Sequence, residues 1–164
     1  MSSEAAPSTL ISQALRDSLN IWSEPLVSDP VDQSDLRKWA IAVYWPDMPP
    51  RIFWDDEYAR TTRWAGIIAP REFNPFAWPI HRPADRMPKP AKRKVGERSM
   101  NGGQTEKYGV QIRPGDTITA KTALVHMEEK VGKLGLTLYK STETRWTNQK
   151  GEFVRSRISI SIVY

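Results

Sequence analysis

Hydrophobic spacing changes character near the middle of the chain, from helical intervals to alternation. Leu10, Ile11, Ala14, Leu15 and Ser18 fall at helical spacing and predict a short amphipathic helix. Leu36, Trp39, Ala40 and Val43 stand at i, i+3, i+4 and i+7, which predicts a second helix from Asp32 to Val43. Asp32 or Ser34 can accept from its first free amides, and Pro46 ends it. A third helix is expected to start at Asp55 or Asp56, acids that suit the positive end of a helix dipole, and to run to about Thr62.

After Met100 the pattern is that of strands separated by turns. "GGQTEKYGVQI" is a candidate strand and "RPGD" (Arg113 to Asp116) a turn; in "TITAKTALVHMEEK" the residues Ile118, Ala120, Thr122 and Leu124 share one face. Gly132 and Gly135 break the chain before "LGLTLYKSTETRW". "NQKG" (Asn148 to Gly151) then reads as a hairpin turn into "FVRSRISISIVY", where Ile158, Ile160, Ile162 and Tyr164 alternate with polar residues. Long antiparallel strands with one buried face are expected. Helices first and strands second predict an α+β fold, with helices on one face of an antiparallel sheet.

Composition narrows the chemistry. The 164 residues suit one domain, expected over 10–164 behind a flexible segment 1–9. There is no cysteine, and His81 and His126 are the two histidines, so disulfides and a thiolate or histidine metal site are not expected. No stretch approaches the roughly 20 apolar residues of a membrane span, and "MSSEAAPSTL" has no leader pattern, so no membrane partner and a cytoplasmic location are expected. The net charge of +5 is local: residues 81 to 98 carry seven Lys or Arg against two acids, leaving seventeen of each elsewhere. This basic loop, taken as 81–100, has no interleaved aromatics and no recognition-helix signature, so no nucleic acid is expected. Residues 46 to 90 hold nine of the thirteen prolines and residues 22 to 78 six of the seven tryptophans, which limits that region to short helices and loops.

Five stretches, in order, resemble one family: "DLRKWAIAV", the loop into "WDDEYA", "GIIAPREF", "MNGGQTEKYGVQIRPGDTITAKT" and "TETRWTNQKGEFVRSRISISIVY". Together they make residues 10 to 164 similar to the N-terminal type of MaoC-like dehydratase, a hot-dog-fold group that includes R-specific enoyl-CoA hydratases and fatty-acid dehydratase subunits. The resemblance implies a single hot-dog domain, a long antiparallel sheet wrapped around a central helix, pairing with a second hot-dog unit. Here that helix would come from about Pro70 to Ile80, shortened or kinked by Pro75 and Pro79.

Catalysing members carry a pattern resembling D-x-N-P-x-H, because hydrating a 2-enoyl thioester needs one group to activate water and another to move the proton at C2. Against that pattern "DMPPRIFWDDEYA" keeps Asp47 near the acid position, displaced by about one residue, lacks the asparagine, and places Trp54 where histidine would stand. An indole N–H donates only and does not titrate near neutral pH. Two readings follow: a non-catalytic partner that shapes the acyl pocket for a MaoC-like hot-dog subunit carrying the Asp and His, or replacement of the histidine from elsewhere, for example by His81. Because the chain ends soon after its last predicted strand, the second unit is expected to be another polypeptide.

The candidate catalytic residue is Asp47. The candidate substrate-binding residues are Trp54, Ile68, Ala69, Pro70, Arg71, Phe73 and Phe76, with Lys92, Arg93 and Lys94 of the basic loop suited to the phosphates of coenzyme A. No cofactor is expected beyond the acyl carrier, coenzyme A or acyl carrier protein. Prolines 75 and 79 fit a pocket opened for a bulky chain, such as a long fatty acid or steroid side chain.

Each residue also has a plain structural reading. Asp47 can be a turn carboxylate, Trp54 can pack on the sheet, the acids from Asp55 to Glu57 can form a solvated helix start, His81 can be exposed, and His126 can be a structural histidine on the Leu124 face. The glycines of "MNGGQ" can admit a ligand or another chain, or mark a bulge. A hot-dog thioesterase using Asp47 to activate water, and a non-enzymatic acyl-CoA-binding module, are the competing functions.

Overall fold

The computed structural model describes residues 9–77 and 98–164. All three predicted helices form, each on a side-chain cap. Helix α1 (Gln13–Asp17) begins at Ser12, which accepts from Leu15 N at 3.2 Å. Helix α2 (Gln33–Tyr44) begins at Asp32, whose carboxylate accepts from Ser34 N at 2.7 Å. It buries Leu36 and Ala40, while Val43, last of the predicted stripe, is exposed. Helix α3 (Asp56–Thr61) begins at Asp55, which accepts from Tyr58 N at 3.0 Å.

The alternating half forms β2 (Ser99–Tyr108), β3 (Ile118–Gly132), β4 (Gly135–Asn148) and β5 (Phe153–Val163). With the short strand β1 (Leu26–Val27) they make an antiparallel five-stranded sheet in the order β1-β3-β4-β5-β2. The turns are where the sequence places them. Gly132 and Gly135 flank the β3–β4 hairpin, and Asn148 Oδ1 accepts from Lys150 N and Glu152 N, each at 3.0 Å, to shape the β4–β5 turn. The amides of Asn20 and Ser23 donate to Leu124 O and Thr122 O at 2.7 and 2.8 Å, so the chain leading to β1 covers the edge of β3.

One face of the sheet carries the core. Ile118, Ala120, Trp146 and Val154 pack there with Val31, Leu36, Ala59, Ile67, Ala69, Phe73 and Ile112, joined by the half-buried Trp39, Ile52 and Phe76. Each fully enclosed large side chain, such as Leu36 or Ile118, contributes about 1.5–3 kcal/mol.

Two bulges overturn part of the predicted alternation. In β3 the pairing steps from Leu124↔Thr142 to His126↔Ser141, leaving Val125 as an extra residue. His126 therefore leaves the Leu124 face and is exposed, which corrects its reading as a structural histidine of that face. In β5 the step from Trp146↔Arg155 to Thr147↔Phe153 makes Val154 the extra residue. Arg155 and Arg157 then share the core face with Trp146 and Thr144, and Ile158, Ile160 and Ile162 lie half-buried on the other face. The expected single buried face of β5, carrying the isoleucines, is thus replaced by two partly covered faces.

The expected central helix does not form over residues 70–77. Phe73 N donates to Pro70 O at 3.0 Å and Ala77 N to Asn74 O at 3.1 Å, so the segment is a series of turns. Proline supplies no amide and disfavours helix in the residue before it, and Pro70 and Pro75 recur too closely for a ladder. The remaining positions of that expected helix, 78–80, lie outside the described residues. Gly102 and Gly103 stand at a bulge of β2, where Gly103 takes φ 115°.

A sharper glycine requirement lies at Gly109, which closes the β2–β5 pair by donating to Val154 O at 2.8 Å. A Cβ there would stand 2.1 Å from Phe153 O. Gly109→Ala is expected to cost about 1–3 kcal/mol or more in urea denaturation. Gly132→Ala, whose Cβ would meet nothing within 4 Å, is expected to change stability by no more than about 0.5 kcal/mol.

Candidate functional site

The loop from Pro46 to Trp54 is held by its own groups. Asp47 N donates to Tyr44 O at 2.8 Å, and the Asp47 side chain is exposed. Among the described residues no side chain hydrogen-bonds to its carboxylate. Trp54 is half-buried after the 3₁₀ turn Arg51–Phe53, and its Nε1 donates to Pro49 O at 2.9 Å. The indole N–H at the expected histidine position therefore ties the loop together. Trp54 lies beside Gln33, Ser34 and Arg37 of α2.

The three acids that follow are structural. Arg51 Nε and Nη2 donate to Asp55 Oδ2 at 2.9 and 2.7 Å, and Gln33 Nε2 donates to Asp56 Oδ2 at 2.7 Å. The amide of Tyr58 and then the Arg51 guanidinium hold the Asp55 carboxyl below its ordinary range. Asp56 and Glu57 are exposed, in keeping with a solvated helix start.

The segment predicted to bind substrate does come together. Ala69 N donates to Ile112 O at 2.8 Å, which fastens the buried run Ile67 to Pro70 to the core. Phe73 meets Trp39 edge-on at 5.6 Å between ring centres, and Phe76 meets Trp146 at 5.5 Å. Ala69, Pro70, Arg71 and Phe73 line a narrow cleft of about 20 Å³ with Tyr108, Trp146 and Arg155. Ile68 is buried and Phe76 packs on Trp146; neither lines this cleft. Asp47 and Trp54 are not among its lining residues, so the predicted acid and the predicted pocket stand apart. Lys92, Arg93, Lys94 and His81 lie outside the described residues.

Sequence reasoning missed the polar half of the cleft. Arg155 is 5 % exposed, its guanidinium carbon stands 3.8 Å from the centre of the Trp146 ring, and its Nη1 donates to Arg71 O at 3.3 Å. The Arg71 guanidinium covers the Tyr108 ring at 5.0 Å. On the same sheet face Arg157 Nε donates to Glu106 Oε1 at 2.6 Å, and Tyr108 Oη donates to Glu106 Oε2. Burial pushes the Glu106 carboxyl up, but the bonds from Tyr108 and Arg157 outweigh it and leave it below its ordinary value. Burial and the Glu106 acceptor push the Tyr108 hydroxyl up, while burial draws Arg155 down. The signal in the sequence is the pair of arginines in "FVRSRIS", which strict alternation sets opposite the isoleucines and which the bulge at Val154 turns to the core face. Among the described residues no cluster of His, Asp or Glu could hold a metal ion, and no helix is long and apolar enough to cross a membrane.

The comparisons agree with this architecture. Over residues 20–157 the chain matches the family described as FAS1-like, dehydratase domain region. Its fold is similar to that of the ChsH1-ChsH2 complex from Mycobacterium tuberculosis, with a TM-score of 0.67 at 18% identity over 87% of this chain and 88% of that one. It is similar to R-hydratase PhaJ1 from Pseudomonas aeruginosa, with a TM-score of 0.54 at 16% identity over 88% of this chain and 81% of that one. C-terminally truncated HadBC, a 3R-hydroxyacyl-ACP dehydratase complex from Mycobacterium tuberculosis, gives a TM-score of 0.54 at 16% identity over 85% and 96%. No curated protein sequence matches the chain.

The network around Glu106 sets a pH dependence. A carboxyl held low in the fold stabilises it above the unfolded value of about 4.3 and loses that contribution as pH falls; a tyrosine held high stabilises it below about 10 and loses that as pH rises. The unfolding free energy is therefore expected to be level near neutrality and to fall on both sides, and Glu106→Gln to remove part of the acid-side fall, as read by denaturant titration across pH.

Proposed function

The chain belongs to the FAS1-like dehydratase family of MaoC-like, hot-dog-fold proteins, and on that premise we propose that it is the non-catalytic subunit of a heteromeric R-specific enoyl-CoA hydratase or 3-hydroxyacyl dehydratase. In this reading it shapes the acyl pocket, and a second MaoC-like hot-dog subunit supplies the Asp and His. The observation that carries it is Trp54. Addition of water across a 2-enoyl thioester needs a titrating base beside the acid, and here an indole stands in that place with its only polar atom given to Pro49 O. Asp47, exposed and without a side-chain hydrogen-bond partner among the described residues, has neither the company nor the enclosure that tunes a catalytic carboxylate.

The remainder of the chain suits a pocket wall. In this reading the turns at 70–77, standing where a central helix is expected, favour a bulky or long acyl thioester carried by coenzyme A or acyl carrier protein. Two of the structures it resembles, ChsH1-ChsH2 and HadBC, are complexes, and this supports a second hot-dog subunit. The acyl carrier is then the only cofactor-like group the reaction needs.

The test is to assay the full chain alone and mixed with the MaoC-like protein encoded beside it, using crotonyl-CoA and bulkier enoyl-CoAs. The chain alone is expected to be inactive and the mixture active. Full activity of the isolated chain would sink the proposal. Trp54→His is expected to leave the isolated chain inactive, because Asp47 stays displaced from the acid position and exposed, and a large gain in hydration rate would contradict that.

A further inference from the structure

Asn101 stands at the bulge of β2 and is followed by glycine. The pairing steps from Asn101↔Ser161 to Gly103↔Ile160, so Gly102 is the residue the ladder skips. Asn101 is exposed, and its Oδ1 accepts from Gly103 N at 2.9 Å. That bond folds the carboxamide forward over the Gly102 peptide and draws electron density from its carbonyl carbon. Gly102 has no side chain to shield its own nitrogen, and none fits, since a Cβ there would stand 2.8 Å from Ile160 Cγ2. An electrophilic side-chain carbon and an unhindered backbone nitrogen are thus neighbours.

The site also lies where the sheet opens most easily. β2 is an edge strand that begins at Ser99. The pairs between Asn101 and that end, Met100↔Ile162 and Ser99↔Val163, finish at the last residue of β5. Outside the ladder, Tyr164 N donates to Arg98 O at 3.0 Å and closes this corner. Few bonds must part for the backbone at Asn101 to turn, and the end of a strand opens at lower free energy than the centre of a sheet. The other asparagines lack this combination. Asn20 precedes isoleucine, Asn74 precedes a proline, which has no N–H, and Asn148 precedes glutamine and is buried.

We propose that Asn101 is a site of spontaneous deamidation that ages this corner of the sheet. The Gly102 nitrogen gives its proton to hydroxide and forms a bond to Asn101 Cγ, while the bond from Cγ to Nδ2 breaks and Nδ2 takes up a proton and leaves as ammonia. Water then opens the resulting five-membered imide at one of its two carbonyl carbons. Opening at Cγ restores the peptide bond and leaves aspartate. Opening at the main-chain carbonyl leaves isoaspartate, whose main chain runs through the former side chain and is one carbon longer. The longer main chain loosens the pairs of Met100 and Ser99 with β5, and either product sets a carboxylate opposite Ser161. No turnover is involved, so the inference does not depend on the hydratase reading.

The experiment incubates the purified full chain, folded and, separately, unfolded in guanidinium chloride, at neutral and mildly alkaline pH. Each asparagine is followed by peptide mass spectrometry, where deamidation adds one mass unit and electron-transfer fragmentation separates isoaspartate from aspartate. In the folded chain Asn101 is expected to convert ten-fold or more faster than Asn20, Asn74 or Asn148, at a rate that rises with hydroxide. It is expected to stay within about ten-fold of its rate in the unfolded chain, as opening of a strand end allows. The converted protein is expected to exchange the amide hydrogens of 99–101 and 161–163 faster, with the β3–β4 pair unchanged, and Asn101→Gln incubated alongside to keep its protection. An Asn101 that stays intact in the folded chain while converting in the unfolded one, conversion no faster than at the other asparagines, or converted protein with unchanged exchange at this corner would overturn the proposal. Folded and unfolded states of the unaltered chain are compared without any variant, so the test stands even where Asn101→Gln does not fold.

Discussion

The stack of Arg155 on Trp146 is the contact on which both halves of the molecule depend. Trp146 receives the guanidinium at 3.8 Å on one side and the Phe76 ring edge-on at 5.5 Å, so the sheet and the proline-rich loops meet on a single indole. The arginine in turn donates to Arg71 O and so fastens the turn that follows Pro70. The arrangement exists because Val154 adds one residue to β5 opposite β4. A one-residue change of register exchanges the faces of everything beyond it, and without the bulge a neutral side chain would face Trp146 and the arginines would point the other way.

From this follows an interior polarised along the strands. Near the loops it is apolar, built from Ile118, Ala120, Phe73 and Ile112. Along β5 and β2 it becomes charged, with Arg155, Arg157, Glu106 and Tyr108 on one face. Glu106 pairs with Arg157 at 2.6 Å and also attracts Arg155, which hydrogen-bonds with Tyr108. An apolar wall with a polar end is the usual character of a ligand pocket, and the acid-rich loop that first attracts attention lies elsewhere, tied up in helix capping and in the Trp54–Pro49 bond.

Much of this was legible in the residues. Caps at Asp32 and Asp55, the turns at Arg113–Asp116 and Asn148–Gly151, and the helical and alternating spacings are local signals, and local chemistry decides them. That Trp54 cannot act as a titrating base was legible too, because an indole N–H donates only. Bulges were not, since Val125 and Val154 suit a regular strand as well as an irregular one and tertiary packing decides between them. That is why strict alternation sets His126 on the wrong face, makes Ile158, Ile160 and Ile162 the single buried face, and gives no sign of Arg155 in the core. The turns at 70–77 were half legible: the prolines signalled an interrupted helix, and the structure replaces it with none over those residues.

The account stands on the claim that this chain builds the pocket and leaves the proton transfers to another subunit. Its most direct measurement is the turnover of the reconstituted complex carrying Asp47→Ala, beside the complex in which the partner's own acid is replaced. The account predicts that Asp47→Ala keeps kcat near the unmodified complex while the partner's substitution abolishes it. Loss of turnover with Asp47→Ala, in a complex that still assembles, would place the chemistry in this chain and contradict it.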